Sequence, residues 1–159
     1  MPTLNTLCAK DLMVTKLIVF RDRTDVFDAI DVMLKNKISG APVVDLRGKY
    51  VGIFSERCCI DLLFSATYDG TPTNTISAFI DREAVTIDEN TELLSVMQIF
   101  MKTRARRLPV LNDQGDLLGM VSRRDVIKAL SQKLTHEEQQ DSGVLYISST
   151  RSRESVTFV

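Results

Sequence analysis

Ser122-Arg123-Arg124-Asp125 places a carboxylate three residues after a serine, immediately behind the apolar run Gly119-Met120-Val121. A carboxylate so placed can accept both hydroxyls of a ribose, while the serine and the first backbone N–H groups of a following helix donate to phosphate. The same four residues also read as a capping box, with serine at the N-cap and an acid in the first turn, where the helix dipole favours it. The two roles are compatible, and both remain open at this level. Arginines gather nearby: Arg104, Arg106 and Arg107 precede Leu108-Pro109-Val110, and Arg123 and Arg124 open the helix. A guanidinium donates in a planar fork that fits phosphate, which makes Arg106, Arg107 and Arg124 the candidates for phosphate contacts. A solvated charged face accounts for the same cluster, whereas a nucleic-acid surface would interleave aromatic residues, and none lies there.

Catalysis has little to work with. The single histidine, His136, sits in the polar stretch Thr135-His136-Glu137-Glu138-Gln139, which reads as the frayed end of a helix. One histidine supplies neither an acid/base pair nor, with three cysteines, a metal site of usual spacing. Cys58 and Cys59 are adjacent and Cys8 is remote, an odd and poorly spaced set for disulfides. A redox role for the pair is the sharper reading; small buried hydrophobes is the plainer one. Binding without a cofactor or metal is expected, and no enzyme. Twenty basic residues against twenty-one acidic ones leave a net charge of −1, so no overall field draws nucleic acid or an anionic membrane. With 159 residues, 44% hydrophobic and 26% charged, the chain can bury one real core but not two independent enzymes. No basic segment followed by an apolar run opens the sequence and no stretch approaches membrane-spanning length, so a reducing, cytoplasmic setting is expected.

The elements that position these residues come in two copies. Pro109 − Pro42 = 67 and Gly119 − Gly52 = 67, and at that offset Thr24/Thr91, Lys35/Lys102, Arg57/Arg124 and Leu63/Leu130 are identical. Ile18-Val19-Phe20 and Val85-Thr86-Ile87 read as short strands, each followed by a threonine, Thr24 or Thr91, able to cap a helix. Val26, Phe27, Ile30, Met33 and Leu34 recur at helical spacing, as do Leu93, Leu94, Met97, Phe100 and Met101, so one apolar face per helix is expected in the core. Pro42-Val43-Val44 and Tyr50 to Phe54 flank a glycine turn and predict an antiparallel hairpin, after which Ser55 and Ser122 start a second helix. The unit is β-α-β-β-α. Residues 7–65 form the first repeat, 66–75 a linker, 76–134 the second repeat and 135–159 a tail. Within that tail the alternation at Val144, Tyr146 and Ser148 leaves an added strand and a disordered segment both open, and Thr157-Phe158-Val159 is similar to a PDZ ligand. A unit this small has a sheet face that its duplicate must cover.

Leu108-Pro109-Val110-Leu111, Gly115, and Gly119-Met120-Val121-Ser122-Arg123-Arg124-Asp125 together resemble the cystathionine-β-synthase (CBS) domain family, as do Gly40-Ala41-Pro42-Val43-Val44 and the lead-in Asp11-Leu12-Met13-Val14-Thr15. The resemblance covers about Leu7 to Leu134 and implies an α/β (α+β) fold of two CBS repeats packed with pseudo-twofold symmetry as one Bateman module. It also implies two clefts taking adenine-bearing ligands: AMP, ADP, ATP or S-adenosylmethionine. In such modules the counterpart of Asp125 holds the ribose. By the same resemblance Ser39, Gly40 and Ala41 lie beside the adenine, and Ile18 and Thr15 line the same cleft. Cys58 stands where the first repeat would carry that aspartate, and a thiol cannot replace a bidentate acceptor, so asymmetric clefts are expected. A regulatory module, paired as a homodimer and passing occupancy to an unknown partner, is the leading reading. A ligand-free structural dimerisation or interaction module is the alternative.

Overall fold

The computed structural model describes residues 7–70 and 75–141, with side chains as far as 133. The strand and terminal signal read within 144–159 lie outside the described residues.

The β-α-β-β-α unit is present twice. In the first repeat β1 (Phe20–Arg21) leads through α2 (Val26–Asn36) to β2 (Gly40–Val44), β3 (Tyr50–Ser55) and α3 (Glu56–Asp69), after a short α1 (Ala9–Leu12). In the second, β4 (Ile87–Asp88) leads through α4 (Leu93–Lys102) to β5 (Arg107–Leu111), β6 (Leu117–Ser122) and α5 (Arg123–Asp141). Each sheet pairs its first strand parallel to the second and its second antiparallel to the third, with Ala41 opposite Phe54 and Leu108 opposite Val121. β1 reaches only Val43 and Val44, so the missing N–H of Pro42 falls where its strand is an edge on that side. Helix α3 continues to Asp69, four residues into the segment read as a linker, and α5 continues through His136 to Asp141.

The two cores are not built from the two repeats separately. Ala9 and Leu12, from the lead-in of the first repeat, are buried among Leu93, Val96, Leu108 and Val110 of the second. Ile76, at the start of the second, is buried among Val26, Phe54 and Leu62 of the first. The exchange is held by matching backbone bonds: Ala9 N donates to Thr91 O at 2.8 Å and Ile76 N to Thr24 O at 2.9 Å, while Lys10 N reaches Glu89 O and Ser77 N reaches Asp22 O. Further on, Val14 exchanges both backbone bonds with Met120, and Asp81 does the same with Ile53. This corrects the roles of Thr24 and Thr91. Their carbonyls anchor the incoming segment, and the helices are capped one residue later. Asp25 accepts from Phe27 N and Asp28 N, whereas Glu92 makes no side-chain cap.

The helix faces are also wider than the core needs. Val26, Met33, Leu93 and Phe100 are buried, but Phe27, Leu34, Leu94 and Met101, expected inside, are 44%, 71%, 51% and 84% exposed. They are equivalent in pairs at the repeat offset, as are exposed Ile60 and Ile127.

Gly52 and Gly119 let the exchanged segments pass. A Cβ on Gly119 would stand 2.8 Å from both Met13 Sδ and Val14 O, and one on Gly52, whose φ is +154°, would stand 2.5 Å from Asp81 O. Opposite these crossings, at the pseudo-twofold axis, Lys49 meets its own counterpart, Asp116. Their backbones form a bridge, Tyr50 N donates to Gly115 O, and Lys49 Nζ lies 2.5 Å from Asp116 Oδ1. The bonds from Lys49, then from Asn112, hold the Asp116 carboxyl below the ordinary carboxylate range.

Two outcomes follow from this packing. Gly119→Ala should cost roughly 1–3 kcal/mol, the usual penalty for overpacking against fixed backbone; denaturant unfolding measures it, and an unchanged midpoint would mean that the Val14–Met120 crossing yields without strain. A carboxyl whose folded pKa is depressed contributes stability above its unfolded pKa and loses it as pH falls through the folded value. The contribution is small, since the pair is 40% and 44% exposed. The difference in melting temperature between wild type and Asp116→Asn should therefore be present at neutral pH and vanish only below the ordinary carboxylate range; a difference that persists in strong acid would assign it to something other than the ion pair.

Candidate functional site

The exchanged lead-in closes a cleft between the repeats. Val14, Lys16, Leu17 and Ile18 form one side of a cavity of about 320 Å³, Ile38, Gly40 and Pro42 of the first repeat another, and Arg107, Met120, Ser122 and Asp125 of the second the remainder. At the head of α5, Ser122 N and Ser122 Oγ both donate to Asp125 Oδ2, at 2.8 and 2.6 Å, and Asp125 N donates back to Ser122 Oγ at 3.2 Å. This is the reciprocal capping box. It occupies one carboxylate oxygen only. Oδ1 carries no hydrogen bond among the described residues, so the cap leaves that oxygen unused.

A second, larger cavity of about 550 Å³ occupies the pseudo-symmetric position. Ile53 and Ser55 replace Met120 and Ser122; Asp81, Glu83, Ala84 and Val85 replace Val14, Lys16, Leu17 and Ile18. Arg57, Arg104, Arg106 and Arg107 supply its positive charge and Glu56, Asp81 and Glu83 its negative charge. Cys58, the counterpart of Asp125, is buried and does not line it. Its sulfur sits 3.3 Å from Ser55 Oγ and 3.8 Å from Ile53 O, turned into the first core. Burial, and next to it Cys58, pushes the neighbouring Cys59 thiol up to about 11, so it stays protonated and unreactive at neutral pH. Among the described residues no three His, Cys, Asp or Glu side chains gather for a metal ion, and no helix is long and apolar enough to cross a membrane.

Of the residues singled out from sequence, the structure brings Asp125, Ser122, Arg107, Gly40 and Ile18 together in the smaller cavity. Ser39 and Arg106 line the larger one instead. Ala41 is 1% exposed and packs in the first core, because alternation along β2 turns Gly40 and Pro42 to the cleft and the residue between them inward. Thr15 is exposed between lining residues Val14 and Lys16. Arg124 is exposed and lines neither cavity: it lies about 100° around the helix from Asp125. Arg123, one residue earlier, lies 6.0 Å over the Phe100 ring. Lys16, Leu17, Ile38 and Met120 were not foreseen as lining residues, nor was Arg57. The repeat offset was the available signal for the larger cavity, since it maps Lys16, Leu17 and Ile18 onto Glu83, Ala84 and Val85.

The family described as the CBS domain matches residues 9–65 and again 76–132. An uncharacterized protein of Methanocaldococcus jannaschii is 32% identical over 152 residues, which cover 76% of this chain and 89% of that one. The inosine-5'-monophosphate dehydrogenase of Aquifex aeolicus is 32% identical over 117 residues, 73% of this chain but only 23% of the enzyme. Among solved structures, CBSX2 in complex with AMP superposes with a TM-score of 0.72 at 26% identity, over 80% of this chain and 98% of that one; CBSX2 is a CBS-pair protein from Arabidopsis thaliana. Both halves of the sequence carry the same match at the same internal offset, and the chain accordingly belongs to the CBS domain family, with two copies of the domain in tandem.

Proposed function

We propose that this CBS pair is a regulatory module, not an enzyme, whose Asp125 cleft binds an adenine nucleotide and transmits occupancy to a partner protein in the cytoplasm. The observation that carries the reading is the free oxygen of Asp125. A carboxylate with one oxygen committed to its helix cap and the other unused, in a cavity of about 320 Å³, is a preformed acceptor for a sugar diol. Gly40 leaves room for a flat base beside β2, Ile18 and Ile38 give it apolar contact, and Arg107 and Lys16 offer cations to phosphate. The relative CBSX2, which was solved in complex with AMP, lends this ligand class direct support. The cleft is walled by both repeats and by the exchanged lead-in, so a ligand that favours one arrangement of the three shifts their relative populations.

The same reading includes a homodimer. Phe27, Leu34, Ile60, Leu94, Met101 and Ile127 are exposed and duplicated by the pseudo-twofold, so a second copy would meet each patch with its equivalent, as a self-complementary interface requires. The exposed helix faces and the loss of an acceptor at Cys58 would also serve a ligand-free interaction module, the second reading.

Isothermal titration with AMP, ADP, ATP and S-adenosylmethionine tests the ligand. Saturable binding near one per chain is expected, weakened about tenfold or more in Asp125→Asn, in keeping with the ~1.5–3 kcal/mol of a hydrogen bond to a charged group. Folded wild type that binds none of the four would hand the case to the interaction module. Sedimentation should report a dimer that Leu34→Glu with Met101→Glu converts to monomer; a wild-type monomer at tens of micromolar would remove the homodimer.

A further inference from the structure

The two cavities adjoin: Gly40, Arg107 and Met120 line both. Their chemistry diverges at the position the repeat equates. The smaller chamber has Asp125 with an unused oxygen, and the larger has Cys58, its sulfur turned away toward Ile53 O. In exchange the larger chamber carries Arg57, Arg104 and Arg106, with Arg107 lining both. None of these four makes an ion pair among the described residues. Glu56, Asp81 and Glu83 line the same chamber without engaging them, leaving four cations against three anions. A second nucleoside would find no carboxylate at the position of Asp125 there, whereas a phosphate chain would find guanidinium forks that none of the chamber's carboxylates engages in an ion pair.

Resting on the Asp125 reading above, we propose that a single nucleotide spans both chambers, with its ribose at Asp125 and its distal phosphates running past Arg107 into the arginine chamber, so that this module reads the length of the phosphate chain. Arg106, the counterpart of Ser39, and Arg57 are then specificity-determining residues rather than part of a second nucleoside site. A nucleoside triphosphate binds in preference to the monophosphate. S-adenosylmethionine, which lacks phosphates and carries a sulfonium cation, is disfavoured beside Arg107.

Titrations of AMP, ADP and ATP at one fixed salt concentration, into wild type and Arg57→Ala/Arg106→Ala, test this. Both side chains are exposed, so the variant is expected to fold, and circular dichroism checks that it does. The expected result is one ATP per chain, an order of ATP tighter than ADP tighter than AMP with about tenfold or more between the extremes, and a ratio of ATP to AMP affinity that falls toward one in the double variant. Equal affinities in wild type, a preference for ATP that survives in the variant, or two ATP per chain would each overturn the spanning arrangement. Those outcomes leave the Asp125 reading intact if AMP still binds and Asp125→Asn still weakens it. Failure of every nucleotide to bind removes both.

Discussion

The structure depends on a close approach that only glycine permits. At Gly52 and Gly119 the lead-in segment of one repeat lies against a strand of the other with no space for a Cβ. Everything else uses that contact. It lets Ala9, Leu12 and Ile76 complete the cores of the opposite repeats. It also brings Val14, Lys16, Leu17 and Ile18 to one side of the cavity that Asp125 lines. Two repeats of some sixty residues become one cooperative body because each lacks part of its core without the other.

Much of this was legible in the sequence, and the reason is the repeat. A constant offset fixed the β-α-β-β-α unit twice over and put Gly52 and Gly119 at matching places before their role was known. The capping box at the head of α5 was legible too, because Ser-x-x-Asp has a local meaning that tertiary structure need not supply. What escaped is what depends on exchange. Thr24 and Thr91 looked like caps from their type, but their carbonyls are taken by a segment more than fifty residues away in sequence. Likewise, the apolar periodicity of α2 and α4 marks residues that avoid water without saying whether the cover comes from the chain's own core or from another surface, so Leu34 and Met101 were misplaced. Ala41 and Arg124 were misplaced for a geometric reason: adjacent residues in a strand or helix do not share a face.

Symmetry that is kept in the backbone and broken in the side chains gives the module its directionality. The ladder bonds, the capping serines and the crossing points all recur, while Asp125 becomes Cys58, Ser39 becomes Arg106 and Lys49 faces Asp116. One chamber thereby holds a carboxylate with an unused oxygen and the other a group of guanidiniums without an ion pair among the described residues. Burial, reinforced by Asp81, holds the Tyr50 hydroxyl protonated well above the usual range, and it makes no hydrogen bond among the described residues.

The central claim is that an adenine nucleotide occupies the cleft formed by the exchanged lead-in, the start of β2 and the head of α5. Hydrogen–deuterium exchange with and without saturating ATP tests it most directly. The account predicts joint protection of peptides covering residues 14–18, 38–42 and 119–126, with little change in α2 and α4. Unchanged exchange across those three segments, or protection confined to the exposed helix faces, would contradict it.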